Sequence, residues 1–432
     1  MIGTGAIPGV GLLTGDAATV LAGMAAGSVQ CCVTSPPYFQ LRRYLEDGHP
    51  DGALEIGQEA TPREFVAALV AVFGAVRRVL RDDGTLWVNI GDSYGSGEVG
   101  RHDSVQGREI DGKRVTSKST TRQHCNVSTA VRPKSLLLIP HRFAIAMGDD
   151  GWICRQDLCW SKPAPMPESV QDRCTRSHEY VFMFTKQPRY YYDAAAIAQP
   201  VEHPNRSGTN PSHVGMMTAH ARDRRREPDQ PINTAGPTRN RRSVWADIPP
   251  EPSGAEHYAA YPTRLPELCL LAGSSPTACG SCNAPWRRVV VAEAWNDREE
   301  RRGEASGWVP RVGRTTEKNS QQRVHNTNGQ TSGTTRTTTG WAPTCACPPD
   351  DTGRCTVLDP FSGSGSTGVA ALRNGRRYIG IDLKDEYHDI ARRRLERAHY
   401  ETAYGVRHER ERVADGQLPM FASIVGGGAD GD

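Results

Sequence analysis

Two segments of this sequence carry residue types, at spacings, that could do chemistry. The first runs Thr356-Val-Leu-Asp-Pro-Phe-Ser-Gly-Ser-Gly-Ser-Thr-Gly-Val-Ala-Ala-Leu372: an apolar strand, a glycine-rich turn, then a helix. Gly363, Gly365 and Gly368 satisfy G-x-G-x-x-G, and Asp382 closes the next apolar run nineteen residues after the first glycine. Alone, that pattern suits a dinucleotide. Asp359 argues against one, because a carboxylate at the strand end repels a pyrophosphate. Only about 50 residues follow Asp382, too few to complete a doubly wound dinucleotide domain unless its other strands come earlier. S-adenosylmethionine fits better. Its sulfonium and α-amino group call for acidic or aromatic neighbours, the glycines allow close backbone approach, and Asp382 can accept from ribose hydroxyls.

The second segment is Thr34-Ser35-Pro36-Pro37-Tyr38, directly after the apolar run Val29 to Val33. Two consecutive prolines have no N–H, so the carbonyls of Ser35 and Pro36 are not taken up by a following helix and are available as acceptors. With the Ser35 hydroxyl they can bind the two hydrogens of an exocyclic amino group. The nitrogen of such a group is a poor nucleophile while its lone pair is delocalised into the ring. Accepting its hydrogens draws it toward tetrahedral geometry and frees the lone pair to attack a methyl group. Tyr38 is placed to stack on a base taken out of the helix. The competing reading is a Pro-Pro turn packed by an aromatic ring.

A third group is built of cysteine. Cys279-Gly-Ser-Cys282 and Cys345-Ala-Cys347 form a C-x2-C and a C-x-C pair separated by a polar insertion. Four thiolates suit a closed tetrahedral zinc site of structural type, against free thiols in a loop. Cys31 and Cys32 precede Ser35 within an apolar run and read as core residues. Attack by an exocyclic nitrogen needs no cysteine nucleophile. His178 and Glu179 either order a cleft or brace a strand.

These residues need a scaffold. Short apolar runs at Val10–Leu13 and Val29–Val33 flank a helical Ala17–Met24, giving a βαβ rhythm. Thr61-Pro62-Arg63-Glu64 opens a helix with a capping box and proline at its first position, and Phe65, Leu69, Val72, Phe73, Val76 and Leu80 follow at helical spacing. Asp83-Gly84 is expected to stop it, with strands at Thr85–Ile90, Gly151–Leu158, Glu179–Thr185 and Tyr378–Ile381. Strands alternating with helices imply a largely parallel α/β sheet.

The 432 residues are 37% hydrophobic and 23% charged, ordinary globular composition that excludes fibrous and fully disordered classes. Glycine and proline are abundant, at 44 and 30 residues, so irregular insertions should interrupt the core. No apolar run approaches the roughly 18 to 20 residues of a membrane span, and Met1–Gly15 lacks the basic segment of a signal peptide. Twelve cysteines in such a chain read as thiols or metal ligands. The expectation is a soluble cytoplasmic protein. The net charge of +3 decides little, but residues 95–135 and 201–243 are polar and Lys/Arg-rich and can meet a phosphate backbone.

Together the two reactive segments resemble the amino-methylating DNA methyltransferases, which modify cytosine N4 or adenine N6, in the permuted order with the tetrapeptide before the cofactor loop. Leu13–Asp16, Leu86–Tyr94, Trp160-Ser-Lys-Pro, Asp172-Arg173, Ser177–Tyr180 and His257–Leu265 look like the family's intervening blocks. The resemblance implies Ser35, Pro36, Pro37 and Tyr38 as catalytic tetrapeptide. It implies Asp359, Phe361, Gly363, Gly365 and Thr367 around the cofactor, Asp382 on the ribose, and Asp16 near the adenine or the cleft floor. Serine at the first tetrapeptide position favours cytosine N4 in this family, with adenine N6 as the alternative. More distant alternatives are a DNA-binding protein of the same fold without turnover, and a dinucleotide oxidoreductase.

The implied fold is a Rossmann-like methyltransferase sheet, mostly parallel and circularly permuted, with polar insertions and a small zinc knuckle. Residues 1–194 would form the catalytic half, and 251–276 with 353–405 the cofactor half. Residues 195–250 would be the target-recognition region, 277–352 the cysteine-paired insertion and 406–432 a tail. Double-stranded DNA is the implied partner, in a bacterial cell or phage-infected host, with a cognate restriction endonuclease acting separately. If the strands at 356 and 378 insert beside those at 10 and 29, donor and acceptor share one crevice.

Overall fold

The computed structural model describes residues 7–46, 48–95, 109–110, 113–114, 131–165, 167–200, 238–251, 261–296, 332–348 and 351–404. Most of the basic stretches 95–135 and 201–243, the block residues His257–Ala260, residues 297–331 and the tail from 405 lie outside them.

The chain divides into two compact units, one of residues 1–192, 243–286 and 343–432, the other of 193–242 and 287–342. The first contains, in order, β1 (Val10–Thr14), α1 (Ala17–Gly23), β2 (Val29–Thr34), α2 (Pro62–Val79), β3 (Leu80–Ile90) and α3 (Ile139–Asp149). It continues with β4 (Ile153–Ser161), β5 (His178–Thr185), β6 (Val244–Trp245), α4 (Arg264–Gly273), β7 (Thr356–Asp359), α5 (Ser366–Arg373), β8 (Arg377–Asp382) and α6 (Asp385–Tyr404). The second unit's main element is an antiparallel ribbon of residues 287–296 and 332–342, on which Arg288 pairs with Asp193 at 2.7 Å.

Eight strands form one sheet in the order β1-β8-β7-β2-β3-β5-β4-β6. All neighbours are parallel except β5, which runs antiparallel to both β3 and β4. The C-terminal β7 and β8 insert between β1 and β2, in register Val357↔Cys31 and Val10↔Tyr378. The crossover helices α1, α2 and α5 explain why these strands read as near-continuous apolar runs: a parallel sheet is covered on both faces. All six residues of β2 are buried.

Helix α2 forms as its cap predicts. The Thr61 side chain accepts from the Glu64 N–H at 3.2 Å, and the Glu64 carboxylate accepts from the Thr61 N–H at 2.9 Å. Phe65, Leu69, Val72, Phe73 and Val76 are buried along one face. Phe73 meets Phe143 of α3 at 5.5 Å between ring centres, and Phe143 meets Phe184 of β5 at 5.9 Å. Emptying such a site by Phe→Ala costs about 3–5 kcal/mol.

One boundary differs from expectation. Leu80 is buried but opens β3 instead of closing α2, and the strand starts there, not at Thr85. The register shifts between Val29↔Leu80 and Cys31↔Thr85, so residues 81–84 form a bulged excursion that Asp83-Gly84 marked as a turn. Gly84 is required there, since a Cβ would meet the Gln30 carbonyl oxygen at 2.9 Å. Among the described residues no helix is long and apolar enough to cross a membrane.

Candidate active site

The carboxyl ends of β1, β8, β7 and β2 open on one cleft with a cavity volume of about 140 Å³. Asp16, Ser35, Pro37, Asp359, Phe361, Gly363 and Asp382 all line it. Pro36, Tyr38, Gly365 and Thr367 are not among its lining residues.

Asp359 ends β7 and is 1% exposed. Its Oδ1 accepts from the Thr34 hydroxyl at 2.6 Å and the Phe361 N–H at 3.1 Å. Its Oδ2 accepts from the Thr367 hydroxyl at 2.7 Å and the Tyr261 hydroxyl at 3.4 Å. All these donors are neutral, so they offset only part of the desolvation, and burial pushes the carboxyl up to about 6. A buried carboxylate in neutral company at a cleft wall suits a cationic ligand. Thr367 thereby acts as a strut, its hydroxyl oxygen lying also 3.3 Å from the Val33 carbonyl oxygen.

The glycines divide their work. Gly363 takes φ 49 and donates its N–H to Asp382 at 2.8 Å, while Asp382 also accepts from the Lys384 N–H at 3.0 Å. Burial raises the Asp382 carboxyl as well. Gly365 takes φ 75 at the start of α5, and a Cβ there would touch Ala391 of α6 at 3.0 Å. A Cβ on Gly368 would meet the Tyr378 ring at 2.6 Å, so this third glycine serves helix-on-strand packing. Asp16 lines the cleft while capping α1, accepting from the Thr19 N–H at 2.8 Å.

On the acceptor side, Tyr38 is held by its hydroxyl, which donates to Glu179 Oε2 on β5 at 2.6 Å. Asn89 of β3 donates from Nδ2 to the same oxygen at 2.9 Å and approaches the Tyr38 oxygen at 3.0 Å and the Ser35 hydroxyl at 3.4 Å. Lys162 of the Trp160-Ser-Lys-Pro block pairs with Glu179 Oε1. Burial first, then the Glu179 carboxylate, keep the Tyr38 phenol well above its ordinary range, so it remains a neutral donor. The Tyr38 ring lies against Gly91, where a Cβ would stand 2.3 Å from a ring carbon.

Sequence reading missed Tyr44, Leu45, Leu54, Glu55, Ile56 and Tyr387, which also line the cleft. Tyr44 packs edge-on against Tyr387 at 6.1 Å, and Glu55 accepts from the Tyr44 and Leu45 N–H groups. For the residues between 44 and 56 the only hint was the aromatic and acidic character of the segment after Tyr38, and Tyr387 had none.

The four paired cysteines do converge. The sulfurs of Cys279, Cys282, Cys345 and Cys347 all lie within 4.8 Å of one another. Hydrogen bonds from the Cys282 N–H, and then from the Ser281 N–H, lower the Cys279 thiol to about 7.

A sheet in this strand order, with glycine turn and cleft at its carboxyl ends, defines a Rossmann-like methyltransferase. Comparison with known proteins narrows the class. A family model described as DNA methylase, that of the N6/N4 enzymes, matches residues 29–280 and 346–393. The Type II methyltransferase M.Cfr9I of Citrobacter freundii is 34% identical over 388 residues, covering 90% of this chain and 88% of that protein. The Type II methyltransferase M.XycI of Xanthomonas campestris pv. cyanopsidis is 33% identical over 386 residues, covering 89% and 87%. The solved structure of the cytosine-N4-specific PvuII DNA methyltransferase aligns with a TM-score of 0.45 at 15% identity, over 92% of this chain and 94% of that one. The chain belongs to the N6/N4 DNA methylase family.

Proposed function

We propose that this DNA methylase transfers a methyl group to N4 of cytosine in duplex DNA, with Ser35-Pro36-Pro37-Tyr38 as its catalytic tetrapeptide. What supports the reading is that one cleft is walled by Ser35 and Pro37 on one side and by Asp359 and Gly363 on the other. The residues present fit S-adenosylmethionine: the buried Asp359 carboxylate suits its cationic end, Gly363 leaves room for it, and Asp382 retains lone pairs for ribose hydroxyls. When bound, that cofactor supplies an electrophilic methyl group.

The chain's own residues do the rest. Ser35 and the Ser35 and Pro36 carbonyls accept the hydrogens of the target amino group and localise the nitrogen lone pair. Tyr38, pinned by Glu179 and Asn89, offers its ring to a base taken out of the duplex. Serine at position 35 supports cytosine N4 over adenine N6. The enzyme is read as the modification partner of a separate restriction endonuclease in the bacterial or phage-infected cytoplasm, with residues 195–250 reading the sequence.

The test is methylation of mixed-sequence duplex DNA with S-adenosylmethionine, followed by nucleoside mass spectrometry. N4-methylcytosine is expected. N6-methyladenine alone would overturn the base assignment, and wild-type turnover by a Ser35→Ala, Tyr38→Ala double variant would overturn the tetrapeptide's role.

A further inference from the structure

We propose that Cys279, Cys282, Cys345 and Cys347 hold one zinc ion in a closed structural site at the end of the sheet opposite the cleft. The proposal is independent of the methylation reading.

The donor set is four thiols with no carboxylate or imidazole among them, which favours zinc over harder cations. A tetrahedral site with Zn–S bonds of about 2.3 Å requires sulfurs about 3.8 Å apart. The four sulfurs already stand within 4.8 Å of one another, so small side-chain rotations close the site.

The backbone around them is built for it. Cys279 donates its N–H to the Ala284 carbonyl at 2.9 Å and its carbonyl accepts from the Asn283 N–H at 2.9 Å. That tight loop aims the Ser281 and Cys282 N–H groups at the Cys279 sulfur. Asn283 takes φ 58, a left-handed conformation that asparagine tolerates. Gly280 admits the second cysteine-bearing segment: its N–H donates to the Asp351 carbonyl at 2.9 Å, and a Cβ would lie 1.9 Å from an Asp351 carboxylate oxygen. Ser281 donates to Asp351 Oδ2 at 2.6 Å, and residues 278–279 pair antiparallel with 352–353. Both halves are therefore aligned by contacts that do not involve the sulfurs.

The location sets the role. Gln30 near the start of β2 donates to the Asn283 carbonyl at 2.7 Å, and Arg81 near the start of β3 donates to the Cys282 carbonyl at 2.6 Å. Ser35 and Asp359 lie at the other ends of the same sheet. Gln30 to Thr34 alone spans about 13 Å of strand. A metal there takes no part in methyl transfer. It clips together the points where the chain leaves at Trp286 and returns at Pro343, and it anchors the approach to β7, which carries Asp359.

The experiment uses the full chain purified without chelators. Elemental mass spectrometry should find about one zinc per chain. Under native conditions a thiol alkylating agent should label the exposed Cys154 and Cys174 at once and spare the four cluster cysteines until a strong chelator is added. Cys282→Ser and Cys347→Ser should each hold less than half the zinc of wild type, while Cys174→Ser holds as much as wild type. If either variant fails to fold, the labelling pattern of the wild-type chain decides alone. A metal-free chain whose cluster cysteines label as fast as Cys174 overturns the proposal. So does an intact mass that shows disulfides among them, or iron in place of zinc.

Discussion

The Thr34 hydroxyl donates a 2.6 Å hydrogen bond to Asp359 Oδ1 across 325 positions of sequence. It joins the strand end that leads into the proposed catalytic tetrapeptide to the carboxylate proposed to hold the methyl donor. Both groups are buried, so the bond is strong and expensive to lose. A hydrogen bond to a charged group contributes about 1.5–3 kcal/mol, so Thr34→Val should weaken binding of the methyl donor about tenfold or more. Thr34→Ser keeps the hydroxyl and should stay within a few-fold of wild type. Titration calorimetry measures both, and equal affinities for wild type and Thr34→Val would refute the coupling.

Asp359 also makes donor binding depend on pH. Burial raises its carboxyl to about 6 against an ordinary value of 3.8, so it is ionised above that point and takes up a proton below it. Affinity for a cationic ligand should hold at neutral pH and fall progressively as pH drops below about 6. The sign for stability is opposite. Between the two values the folded state binds more protons than the unfolded chain, so stability falls as pH rises through that window. Asp359→Asn removes the buried charge while the Thr34, Thr367 and Tyr261 hydroxyls can reorient. It should abolish donor binding yet raise the melting temperature of the ligand-free protein at neutral pH, with the advantage shrinking toward pH 4. A lower melting temperature at neutral pH would show that the charge is not a strain on the fold.

Tyr38 offers a separation of roles. Gly91→Ala would place a methyl group 2.3 Å from the Tyr38 ring and must push the ring out of its seat. Base stacking is worth about 1–3 kcal/mol, so this variant and Tyr38→Ala should each lose at least several-fold in kcat/KM for DNA. Affinity for the donor, measured separately, should stay near wild type, because Tyr38 is not part of the cleft wall. Tyr38→Phe keeps the ring but loses the hydroxyl bonded to Glu179, and should fall between. If both Gly91→Ala and Tyr38→Ala methylate at the wild-type rate, the ring has no role in engaging the base.

Much of this site was legible because its signals are local. The cap at Thr61, the apolar runs of β2, β7 and β8, and the glycine turn each reveal themselves within a few residues. The placement of β7 and β8 beside β1 and β2 followed from the permuted order of the two motifs that the family resemblance implied. Other features needed the fold. An apolar run has no direction, so the antiparallel sense of β5 was unreadable. Tyr44, Glu55 and Tyr387 reach the cleft only because their segments fold over it. The bulge at residues 81–84 extended β3 backward to Leu80, since apolar spacing near a helix end does not distinguish a last helical turn from a first strand residue.

Gln30 closes the account of how the two ends of the sheet are kept separate. Its side chain is 2% exposed and satisfies two backbone groups at once, donating to the Asn283 carbonyl at 2.7 Å and accepting from the Thr356 N–H at 2.6 Å. Gln30→Leu preserves approximate shape but leaves a partly buried carbonyl and a buried N–H without these partners. Each orphaned group costs about 1–3 kcal/mol, so the melting temperature should drop by several degrees. Gln30 lies on the far side of β2 from the cleft, so the affinity for the methyl donor should stay within about twofold of wild type under conditions where the variant remains folded. Thermal unfolding and calorimetry on the same preparation decide the matter: an unchanged melting temperature would mean that Gln30 does not anchor β7, and a large loss of donor affinity would mean that the two ends of the sheet are not independent.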